Sequence, residues 1–148
     1  MPLVQYDNFI WILVACHALN ANRISKIVFA TQEEEPLPEY EGIQTMAVQD
    51  SELLDRLQTE LDNGQWIVDL DLDYFFDADG KDLIYGPDQI EEICSVIRNH
   101  LHRGHISALT IALSPSCSGE WPKAVEVCEL VCETLGLNFP VNHLRERI

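Results

Sequence analysis

Positive charge is scarce in this chain: 9 Lys and Arg stand against 25 Asp and Glu, giving a net charge of -16 over 148 residues. That balance opposes phosphate backbones and anionic membrane surfaces, so neither nucleic acid nor membrane is expected as a partner. An acidic surface does suit cationic partners such as arginine-bearing ones. Paired cysteines are also missing. The 5 cysteines (Cys16, Cys94, Cys117, Cys128 and Cys132) include no CxxC pair, which excludes the common zinc and disulfide spacings. A reducing, cytoplasmic setting is therefore expected, with Cys128 and Cys132, one helical turn apart, as small core residues. The apolar run over 9–19 is too short to span a bilayer. No Lys or Arg precedes it and Asp7 does, which is unlike a signal peptide, so it reads as a buried helix. No internal repeat and no linker is visible, and a chain of this length suits one domain over 1–148 with one core.

Hydrophobic periodicity and breakers set the expected elements. Asn8 can cap a helix over 9–21, and a strand follows over 24–30. Residues 32–41, acidic and proline-bearing, form a surface loop before a second strand over 43–48. Asp50 or Ser51 starts a helix with Leu53, Leu54, Leu57 and Leu61 on one side, stopped at Asn63-Gly64. Pro87 opens another helix, whose stripe is Ile90, Ile93, Cys94, Val96, Ile97 and Leu101. A strand over 106–113 follows. Pro122 opens the last helix, with Val125, Cys128, Leu130, Val131 and Leu135 inward and Gly136 at its end, before a tail over 137–148. Strands alternating with helices imply a three-layer α/β sandwich with a mostly parallel sheet. Ligands in such sheets sit beyond the carboxyl ends of the strands.

The stretch over 66–76 carries the chemistry. As one strand it places Asp69, Asp71 and Asp73 on one face and Val68, Leu70, Leu72 and Tyr74 on the other. A strand this apolar is expected to be covered on both faces. Buried carboxylates need a positive partner, and a divalent cation meets that need. Oxygen donors without Cys or His favour a hard ion such as Mg, Mn or Ca. Asp71 and Asp73 lie nearest the ligand-binding edge, while Asp69 lies deeper and suits a second cation or backbone amides. The alternative is an edge strand with its aspartates in solvent. The loop over 114–120, with Ser114, Ser116, Cys117 and Glu120, is expected at the same edge as Asp73.

Other groups read more plainly. The run over 77–82 resembles a calcium loop but lacks the EF-hand series and its closing Glu, and reads as a solvated turn. His100, His102 and His105 gather at a helix end, where cationic side chains suit the helix dipole; metal binding is the less favoured alternative. His17 reads as a core residue. Ser114 and Cys117 have no base at motif spacing. A phosphohydrolase of the dehalogenase type would need Ser or Thr shortly after the second aspartate, and Tyr74, Phe75 and Phe76 supply none.

The strand Ile67-Val68-Asp69-Leu70-Asp71-Leu72-Asp73-Tyr74-Phe75 resembles the "LDIDLDFF" signature of the peptide arginase family, which is similar to the arginase and histone deacetylase superfamily. Residues 110–121 resemble that family's "TIALSP-x-C-x-G-x-W" segment, and residues 6–10 its "GNFI" helix start. The resemblance implies an arginase/deacetylase-like fold and a binuclear manganese site that hydrolyses peptidyl arginine to ornithine and urea. The implied substrate is an arginine-containing peptide or another guanidinium compound. The two aspartates of the arginase S-x-D-x-D motif fall on Asp71 and Asp73, and Asp69 takes the place of the Ser.

The departures from the family pattern are specific. Nothing before Asp69 reproduces the superfamily's earlier D-x-H-x-D strand, so the chain corresponds to the C-terminal part of such a domain. Phe76 stands where D-x-D-x-x-D has its last acid, and Ala112 where arginases place a glutamate. Glu120 is the remaining acid for a guanidinium. Two or three aspartates do not fill the shells of two manganese ions. Completing the site calls for another copy of the chain or a partner chain, and the alternatives are a truncated gene or a non-catalytic relative that binds or scaffolds.

Overall fold

The computed structural model describes residues 24–32 and 36–138. The helix expected over 9–21, with Asn8, Cys16 and His17, and the tail from 139 onward lie outside the described residues. The chain divides into two compact units, Met1–Glu52 and Leu53–Ile148. The described part is mixed α/β, with short parallel strands and helices.

In the first unit, β1 (Lys26–Thr31) pairs in parallel with β2 (Gln44–Gln49), Lys26 opposite Gln44. The connection ends in a tight turn, in which the Ile43 amide donates to the Tyr40 carbonyl at 3.1 Å. Gly42 supplies the left-handed φ of 76° that this turn requires. Tyr40, Ile43 and Val48 are buried. Both expected strands form, displaced by one or two residues. A 3-10 turn over Asp50–Glu52 ends the unit.

The second unit carries α1 (Leu53–Leu61), β3 (Trp66–Asp71), α2 (Pro87–His102), β4 (Ile106–Ala112) and α3 (Glu120–Leu135). Strands β3 and β4 pair in parallel, as a helical crossover between them allows. Helix α2 packs against α1, α3 and β4. Pro87 occupies its first turn, where a missing N–H costs nothing, and the Gln89 side chain accepts from the Gly86 amide at 2.8 Å. The buried stripe is Ile90, Ile93, Cys94, Val96, Ile97 and His100; Leu101, expected in it, is only half-buried. Helix α3 begins at Glu120, two residues before Pro122, because a proline anywhere in the first turn leaves no hydrogen bond unmade. Its buried face includes Val125, Cys128, Val131, Cys132 and Leu135. Burial pushes the Cys94 and Cys128 thiols up to about 12, so both remain protonated, inert core side chains.

The strand expected over 66–76 stops at Asp71 and gives way to a 3-10 turn over Leu72–Phe75. Side chains three apart eclipse in a 3-10 turn. Leu72 and Phe75 therefore face the same way and both are fully buried, whereas an extended chain would send them to opposite faces. Tyr74 and Tyr85 join hydroxyls at 3.1 Å, and the Phe75 and Tyr85 rings meet edge to face at 5.5 Å. The expectation that both faces of the strand are covered is corrected as well. Leu70 is buried, but Ile67 is 58% exposed and Asp69 is exposed on the opposite face.

Candidate functional site

Because β3 and β4 are parallel, their carboxyl ends share one edge. There the structure brings together Asp71, Asp73 in the turn that follows, and Ser114 beyond β4. The Ser114 hydroxyl donates to Asp71 Oδ1 at 3.4 Å, and the same oxygen accepts from the Asp73 amide at 3.4 Å. That amide contact caps the 3-10 turn and brings the Asp73 carboxyl against that of Asp71. Asp73 is pushed up to about 6, first by burial, then by the Asp71 charge and by a hydrogen bond between the two carboxyls. Two carboxyls this close repel each other when both are ionised, so the place favours a positive charge.

Asp69 stands apart from this pair. It faces solvent and accepts a hydrogen bond from the Thr110 hydroxyl, its register partner on β4. Asp69 and Asp71 keep the strand's alternation, but β3 ends at Asp71 and Asp73 leaves it, so the three acids do not form one line.

The loops after the two strands are locked together. The Gly119 amide donates to the Gly80 carbonyl at 2.6 Å, and Lys123 Nζ donates to the Lys81 carbonyl at 2.6 Å. Gly80 has a φ of 67°, and a Cβ there would lie 2.5 Å from Cys117 Cα. The expected adjacency of the two loops is thus present. The Asp77 carboxylate accepts from the amides of Lys81 (2.7 Å) and Asp82 (3.3 Å), which hold it below the usual carboxylate range. Its loop is self-satisfied, in keeping with a solvated turn.

The remaining expected site residues lie on the second loop. Ser116 and Cys117 are exposed, with Oγ and Sγ 3.7 Å apart. Glu120 is exposed at the first position of α3 and has a left-handed φ of 63°, unusual for a residue with a side chain. Ser118, not singled out from sequence, is fully buried, and its hydroxyl has no hydrogen-bond partner among the described residues.

A second cluster joins Asp62, His100 and His105 at the other end of the β3–β4 ladder. The run of histidines at a helix end signals part of it, but His100 is buried and not a solvated dipole partner. Asp62, distant in sequence, carries no local signal. The chain matches no protein-family model, no curated protein and no solved structure.

Proposed function

We propose that the chain is a metal-dependent hydrolase-like protein of the peptide arginase type, with Asp71 and Asp73 as ligands to manganese. In this reading the fold is an arginase-like three-layer sandwich and the setting is the cytoplasm. One observation supports it most: Asp71, Asp73 and Ser114 meet at the carboxyl end of a parallel strand, where burial and the Asp71 charge raise Asp73 to about 6. The donor set fits, since both ligands are hard oxygens. Bound there, the ion would supply Lewis-acid chemistry for hydrolysis of a guanidinium C–N bond.

The chain's own residues have separate tasks. Ser114 orients Asp71 by its hydrogen bond. Glu120, an exposed acid on the adjoining loop, is the group for a cationic guanidinium, with Ser116 and Cys117 lining the approach. Asp69 is held by Thr110 and is the reserve carboxylate for a second ion. A second copy or a partner chain supplies the further ligands that two ions need.

A binding or scaffold protein is the second reading, favoured by the exposed Ile67 and Asp69 on the open face of β3. Ornithine release from an arginine-containing peptide, with manganese and with candidate partner chains, separates the two. Release that disappears in Asp71→Asn/Asp73→Asn supports the hydrolase. No release under any of these conditions, with the double variant more stable and otherwise unimpaired, supports the scaffold.

A further inference from the structure

Three elements of the second unit converge at the amino-terminal end of the β3–β4 ladder. Asp62 follows α1, His100 lies in the last turn of α2, and His105 precedes β4. The two imidazole Nδ1 atoms are 3.2 Å apart, and each lies 3.9 Å from Asp62 Oδ1. A hydrogen-bonded His–carboxylate pair would close to about 2.7–2.9 Å. Here the carboxylate stands off from both rings, so three donor atoms surround a common gap.

The spacing suits a metal. Ligands about 2.0–2.1 Å from a tetrahedral zinc ion lie roughly 3.3–3.5 Å from one another. The nitrogen pair, hydrogen-bonded at 3.2 Å without an ion, would open by only about 0.1 Å, and the exposed Asp62 needs to move inward by about half an ångström. Two imidazoles and a carboxylate also form the borderline donor set that zinc-like ions prefer over manganese or magnesium.

The backbone holds these donors in place. The His105 amide donates to the His100 carbonyl at 3.0 Å, and the Trp66 amide donates to the His105 carbonyl at 2.8 Å. The Gln65 side-chain amide donates to the Gly104 carbonyl at 2.9 Å, and Gly104 takes the left-handed φ of 76° that turns the chain between the histidines. His100 is 4% exposed, and its burial lowers its affinity for protons, with His105 and Arg103 acting the same way and Asp62 opposing. A neutral imidazole has a lone pair to offer. Arg103 Nη1 lies 3.5 Å from the same Asp62 oxygen, but it is exposed and can turn to the other oxygen or to solvent. The carboxyl-terminal dipole of α2 favours a cation at this place.

We propose that Asp62, His100 and His105 form a binding site for a zinc-like divalent transition ion, separate from the Asp71–Asp73 pair. The ion would tie α1, α2 and the start of β4 together and leave one coordination position open. The two sites take different metals and lie at opposite ends of one ladder, so either can exist without the other.

Titration of the untagged full chain with zinc chloride tests the proposal, with cobalt(II) absorption as a reporter of tetrahedral nitrogen and oxygen ligation. One tight, saturable equivalent with a tetrahedral cobalt spectrum is expected, any zinc at the Asp71–Asp73 carboxylates being weaker, and zinc should raise the melting temperature. Asp62→Asn and His105→Gln, both at solvent-accessible positions, should each weaken zinc binding by at least about tenfold while the far-ultraviolet spectrum is unchanged. His102→Gln and Asp71→Asn/Asp73→Asn should leave it unaltered. The absence of saturable zinc binding would overturn the proposal. So would binding that persists undiminished in Asp62→Asn and His105→Gln, or that is lost with His102→Gln, Cys117→Ser or the Asp71/Asp73 pair.

Discussion

The Asp73 amide donates to Asp71 Oδ1 at 3.4 Å, at the point where β3 ends in a 3-10 turn, and the charge of Asp71 helps burial push the Asp73 carboxyl up to about 6. The pair has a direct consequence for stability. Asp73 titrates near 6 in the folded chain and near 3.8 when unperturbed, so between those values the folded state holds more protons. Stability therefore falls as pH rises through that window. Partial exposure screens the effect, leaving a loss on the order of 1 kcal/mol by neutral pH. Urea unfolding across the window should show this loss in the native chain and not in Asp73→Asn. Manganese should cancel it by replacing the proton.

The clasp between the two loops is sterically exacting. Gly80 combines a left-handed backbone with contact against Cys117. Gly80→Ala should cost about 2–4 kcal/mol, from strained backbone plus overpacking. Urea denaturation measures it directly. The same variant should weaken manganese binding, because the loop after β3 carries Asp73.

Much of the fold is legible in the residues. Leu53 to Leu61, the Pro87 start and the Gly136 stop carry strong periodicity or capping chemistry, and those helices form with their ends within a few residues of expectation. The end of β3 is not legible that way. A period-two pattern of Asp and Leu continues through Asp73, but it competes with the joint burial of Leu72 and Phe75, which only a three-residue turn achieves. The closeness of Asp71 to Asp73 is legible in their spacing, whereas the departure of Asp73 from the line of Asp69 and Asp71 is not. His100 shows the opposite limit: its burial and its meeting with Asp62 depend on how α1 and α2 pack, which no local run encodes.

The two faces of β3 should respond differently to truncation. Leu70→Ala removes a buried side chain and should cost about 2–4 kcal/mol. Ile67→Ala alters a side chain that is 58% exposed and should stay within about 0.5 kcal/mol. Equilibrium unfolding of both variants reads the contrast; equal losses would mean that the Ile67–Asp69 face is covered after all.

Manganese titration of the untagged chain, followed by electron paramagnetic resonance, tests whether Asp71 and Asp73 hold a divalent metal. Saturable manganese binding is expected in the native chain, retained in His105→Gln and lost in Asp71→Asn/Asp73→Asn. A native chain that leaves all manganese free, or a double variant that binds it as well as the native chain does, would contradict it.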